Sequence, residues 1–63
     1  MTPAQFRSTI ATLGLSQEAA AVFMGRSPRT GQSWALGERD IPVSVAKLLR
    51  LMIKLNLKPE DVK

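Results

Sequence analysis

The sequence predicts an all-α fold, a compact bundle of four to five short helices, on three observations. Helix start signals recur along the chain, at Thr2-Pro3, Ser16, Ser27-Pro28, Pro42 and Pro59. Glycines stand where the first three helices should stop, at Gly14, Gly25 and Gly37. Apolar residues recur at helical spacing between them, as in Phe6, Ile10 and Leu13. The 63 residues make one domain, 1–63. A chain this short buries only about 60% of its unfolded surface, so it needs a compact helical core or a partner.

The first helix opens on a capping box in which Gln5 reaches back to the Thr2 amide, and it runs to Gly14. Arg7, Ser8 and Thr9 lie off its apolar stripe, so it reads as a packing strut. Leu15 follows, placed to pack on the entry to the next helix. From Ser16 to Gly37 the residues SQEAAAVFMGRSPRTGQSWALG read as two short helices hinged at Gly25, a helix-turn-helix at 16–37. Ser16 caps the second helix, and Ala20, Ala21, Phe23 and Met24 give it an apolar face. The third helix starts with Ser27 as cap and Pro28 at its first position.

At about 100° per residue, Arg29, Gln32, Ser33 and Leu36 fall on one side of this third helix. Thr30, Gly31, Trp34 and Ala35 fall on the other. Trp34 is the one large anchor, so its side should face the core, leaving Arg29, Gln32 and Ser33 pointing outward. A major groove admits one helix, Arg can donate two hydrogen bonds to guanine, and Gln can pair with adenine through two. The helix carries no acidic residue to repel phosphate. The plainer alternative is a solvated polar face.

Beyond Gly37, the ERDIP segment marks a loop before the next helix. Arg39 there is open to two roles, a phosphate contact or a local ion pair with Glu38 or Asp40. Helix four, from about Pro42 to Asn56, places Lys47, Arg50 and Lys54 on one strip. Its apolar residues cover roughly 220° of the circumference, more than one small core can use. Leu48, Leu51 and Leu55 form the surplus flank, read as a dimer face. Two alternatives are cover from neighbouring helices within the monomer and an amphipathic membrane-surface helix. Pro59, Glu60 and Asp61 suit a short closing turn that tucks Val62 back.

Composition narrows the function. Without cysteine or histidine there is no disulfide framework, thiol nucleophile or nitrogen or sulfur metal site, so neither cofactor nor metal is expected. The carboxylates Glu18, Glu38, Asp40, Glu60 and Asp61 form no convincing acid-base pair, and no enzyme is expected. A net charge of +4 favours a polyanionic partner. The N-terminus lacks the apolar run of a signal peptide, and no window approaches the roughly 18 apolar residues of a membrane span, so a cytoplasmic protein is expected.

These residues resemble the Cro/CI-type helix-turn-helix family of phage and bacterial repressors, also called the xenobiotic-response-element family. The matching features are the LSQ opening at Leu15 to Gln17, Ala21 and Gly25, the SPRT start at Ser27, Trp34, and GERDIP from Gly37 to Pro42. Nearly the whole chain is covered. The resemblance implies a lambda-repressor-like bundle, with the third helix in the major groove of double-stranded DNA and a two-fold homodimer on a palindromic or direct operator. It puts Gln17 on a phosphate at the start of the second helix, and Ser27 and Thr30 on backbone phosphates. Pro28, Arg29 and Ser33 take the family's base-contacting places, with Gln32 beside them.

Three residues depart from the pattern. Arg26 stands where the family buries Val or Ile and is expected to snorkel out toward a phosphate. Gly31 replaces a β-branched residue, at about 1 kcal/mol of helix propensity relative to Ala, and is expected to make room for Trp34 or Phe23. Pro28 offers only an apolar contact, for example to a thymine methyl, which shifts specificity onto Arg29.

The expected function is a small sequence-specific transcriptional regulator, a homodimeric autorepressor of phage, plasmid or mobile-element type. So small a chain leaves no room for a ligand domain, and regulation is expected from concentration, site arrangement or a partner protein. The alternative is an antitoxin-like or other protein-interaction module whose fourth helix binds a partner through its apolar face.

Overall fold

Local signals place the helix boundaries. In the computed structural model, which describes residues 1–62, the chain forms four α-helices and a closing turn, with no strand among the described residues. They are α1 (Pro3–Thr12), α2 (Gln17–Phe23), α3 (Pro28–Leu36), α4 (Val43–Lys54) and a 3-10 turn (Pro59–Asp61). The expected all-α bundle is thus what the chain adopts.

The α1 capping box is complete. The Gln5 amide donates to Thr2 Oγ1 at 3.1 Å, and the Thr2 amide donates to Gln5 Oε1 at 2.9 Å. Ser16 caps α2 by accepting the Ala19 amide on Oγ at 3.0 Å. Ser27 has cap backbone geometry, but its hydroxyl makes no bond to the helix backbone. It lies 3.0 Å from the Thr30 hydroxyl instead.

All four α-helices leave by the same route. An amide five residues on reaches back to a carbonyl of the last turn: Leu15 to Ile10 at 2.9 Å, Arg26 to Ala21 at 2.8 Å, Glu38 to Ser33 at 2.9 Å and Leu57 to Met52 at 2.8 Å. This closure needs a left-handed residue just before the donating amide. Gly25 fills that place after α2 with φ of +77°. After α4 the residue is Asn56, with φ of +55°, so α4 stops at Lys54, slightly short of the expected Asn56. Asn adopts this conformation more readily than other residues with a Cβ.

The core gathers Phe6 and Ile10 from α1, Ala20 and Ala21 from α2, Trp34 and Ala35 from α3, and Val45 and Leu49 from α4. Trp34 faces inward as expected and meets Phe6 edge-on, ring centroids 5.8 Å apart at 79°. Leu13, Leu15, Met24 and Ile41 seal its margins. Arg7, assigned no specific partner by the sequence pattern, donates from Nη1 to the Ala35 carbonyl near the end of α3. A cation from α1 thereby meets the negative end of the α3 dipole.

The α2–α3 pair is the most extensive contact between elements, and Gly31 explains its closeness. A Cβ built on Gly31 would lie 1.9 Å from the Gln17 carbonyl oxygen and 3.0 Å from the Ala21 Cβ. The space Gly31 vacates is therefore taken by the backbone of α2, which corrects the expectation that it accommodates Trp34 or Phe23. Helix α4 packs on α1 and buries Val45, Ala46, Leu49 and Met52. Its surplus flank is as expected in part: Leu51 and Leu55 are 48% and 55% exposed, while Leu48 is half-buried. Asp61 Oδ2 accepts the Lys58 amide at 2.9 Å to fix the closing turn, and Val62 is half-buried beside it. No helix among the described residues is long and apolar enough to cross a membrane.

Candidate nucleic-acid interface

Helix α3 divides cleanly by burial. Gly31, Ser33, Trp34 and Ala35 are buried, Thr30 is half-buried, and Pro28, Arg29, Gln32 and Leu36 are exposed. At about 100° per residue those four exposed residues occupy one continuous arc of roughly 100°. Arg29 and Gln32 point outward as expected. Ser33 does not: it is only 9% exposed, and its hydroxyl donates to Glu38 Oε1 at 3.4 Å. The reason is angular. Ser33 sits at the edge of the exposed arc, and the loop after α3 folds back to cover that edge.

The phosphate candidates group around the start of α3. Ser27, Arg29, Thr30, Ser33 and Arg39 line one shallow depression of about 120 Å³. Arg26, exposed in the turn before α3, adds a third guanidinium near this end. The N-terminus of a helix is the positive end of its dipole, so backbone and side chains there favour an anion together. Ser27 and Thr30 present hydroxyls bonded only to each other. Gln17 is half-buried at the first position of α2, with its carbonyl against Gly31.

One feature of this surface went unread in the sequence. Gln32 Nε2 donates to Glu18 Oε2 at 2.9 Å, linking α2 to the exposed face of α3. The Glu18 carboxyl is held below its ordinary range, first by its own backbone amide in the first turn of α2 and then by the Gln32 amide, against a small opposing effect of burial. No local pattern gives this pair, because it joins two helices whose register is set by the contact of Gly31 with the Gln17 carbonyl.

The surface offers cations, hydroxyls and one amide on a rigid helical pair. Among the described residues no group of three His, Cys, Asp or Glu could hold a metal ion. Leu48 and Leu51 belong to α4 and Leu55 caps its C-terminal end, so none of the three is part of the exposed arc of α3. Comparison with protein-family models, curated proteins and solved structures finds no match to this chain.

Proposed function

We propose that the chain is a small sequence-specific DNA-binding transcriptional regulator of the Cro/CI type, working in the cytoplasm as a homodimer. The observation that carries this reading is the exposed arc of α3. It holds Arg29 and Gln32 with no acidic residue of its own helix beside them, and Arg26, Ser27, Thr30 and Arg39 surround its N-terminal end. In this reading Arg29 and Gln32 reach base edges in the major groove, with Pro28 giving an apolar contact at the start of the helix. Gln17, Arg26, Ser27, Thr30 and Arg39 hold the backbone phosphates that fix the register. Ser33, being buried, supports the Glu38 loop and takes no base. The reading assigns no catalytic residue, cofactor or metal, and its preferred regulatory role is autorepression in a mobile genetic element.

Selection of the purified protein on random duplexes at physiological salt tests this, with Arg29→Ala in parallel. Two half-sites at a fixed spacing should be enriched. Arg29→Ala should lose about 1 to 3 kcal/mol on the selected site and relax one base pair. Absence of any enriched sequence overturns the reading.

A second reading, a protein-interaction module of antitoxin type, is favoured by a separate observation. Leu51 and Leu55 leave the surplus flank of α4 with large apolar side chains 48% and 55% exposed. The same flank serves the homodimer in the first reading, so the two functions are compatible.

A further inference from the structure

Gln32 is the only neutral side chain on the exposed arc of α3 able to both donate and accept hydrogen bonds. An amide of this kind is ambiguous, because turning it over exchanges its donor and its acceptor. Glu18 removes the ambiguity. An ionised carboxylate only accepts, so the side of the Gln32 amide that faces it must be the NH2 group, as the 2.9 Å contact from Nε2 to Oε2 shows. One Nε2 hydrogen is then engaged. Oε1 and the second hydrogen remain, in fixed order, on the other side.

Several conditions make this a defined orientation. Glu18 lies in the first turn of α2, where its own amide helps keep it ionised. The two helices cannot come closer, because Gly31 already brings α3 against the Gln17 carbonyl. Glu18 and Gln32 are thus held by a backbone contact one residue away on each chain segment. The pattern left free, one acceptor beside one donor, is the complement of the adenine edge, which offers the N6 donor and the N7 acceptor.

We propose that Glu18 is a specificity-determining positioning residue, which fixes the amide of Gln32 in the orientation that pairs with adenine. The inference rests on the DNA-binding reading above and says how one of its base contacts is selected. It also explains an acidic residue next to a surface meant for phosphate. Glu18 weakens general attraction to DNA and sharpens selection at one position.

The test is random-duplex selection at one salt concentration with wild type, Gln32→Ala, Glu18→Gln and the double variant, each first shown to be folded by circular dichroism. Gln32→Ala identifies the base pair that Gln32 reads, which should be A·T. Glu18→Gln lets the amide turn over, because a second amide can donate as well as accept. It should reduce preference at that same pair, and at no other, on the order of tenfold, the scale of one two-bond base contact. Adding Glu18→Gln to Gln32→Ala should change base preference no further. Full preference retained at that pair in Glu18→Gln overturns the proposal and leaves the DNA-binding reading standing. An adenine preference that grows in Glu18→Gln also overturns it, by showing that Glu18 withholds Gln32 from the base. No enrichment by the wild type removes both.

Discussion

The α2–α3 seam and the outer flank of α4 bury their surfaces in opposite ways. At the seam the residues are small: Ala20, Ala21 and Ala35 are fully buried, and Gly31 admits a backbone carbonyl. On α4 the side chains are large, and the helix carries more apolar surface than the bundle covers, with Leu51 and Leu55 left outside. Small residues let two helix backbones approach until the main chain itself fixes their spacing. Large residues give stability by area but leave the helix's outer face uncommitted. The first arrangement suits a part whose geometry must be held, and the second a part that meets something else.

The largest expected effect breaks the seam. Gly31→Ala gains helix propensity, yet its methyl would lie 1.9 Å from a backbone oxygen. The helices must part, and urea denaturation should show a loss of about 3 kcal/mol, the upper part of the usual range for overpacking. A loss below about 1 kcal/mol would show that the seam has slack and that the contrast with α4 is overstated.

The next prediction tests the other side. Leu51→Glu places a charge on a half-exposed position, so monomer stability should move by no more than about 0.5 kcal/mol. Sedimentation should nevertheless show loss of the proposed homodimer, since a charge buried in an apolar interface is strongly unfavourable. Retention of the dimer would take Leu51 out of the interface.

The smallest effect concerns Glu18, the polar tie across the seam. Its carboxyl is depressed below the ordinary value of 4.5, so its contribution to stability is present above that pH and is lost as pH falls through the folded value. Below 4.5 the unfolded chain takes up the proton first, which favours unfolding. Glu18→Gln should therefore flatten the acid limb of the stability curve slightly. An unchanged limb would mean that neither the backbone amide of Glu18 nor Gln32 holds the carboxylate in solution.

The contrast also marks what the sequence could tell. Helix ends were legible because their signals are local: Thr2 with Gln5, Ser16, and Gly25 each act within a few residues. The surplus flank of α4 was legible because an apolar arc can be measured on one helix. What stayed hidden depends on two segments meeting. The Gln17 carbonyl over Gly31, the Arg7 bond to Ala35 and the Glu18 tie to Gln32 join residues 14 or more positions apart. Ser33 failed for a smaller reason. It lies at the margin of an arc, where a helical wheel decides poorly and the position of Glu38 decides the matter.

The division of α3 has a consequence for redesign. Pro28, Arg29, Gln32 and Leu36 are exposed, whereas Gly31, Trp34 and Ala35 hold the helix in place. A combinatorial library varied only at those four sites would sample new recognition surfaces while the scaffold's packing instructions stayed intact. If position 18 were varied jointly with 32, each library member would also carry its own means of orienting the newly installed side chain. The fold would then act as a chassis, with its exposed α3 strip exchangeable as a cassette.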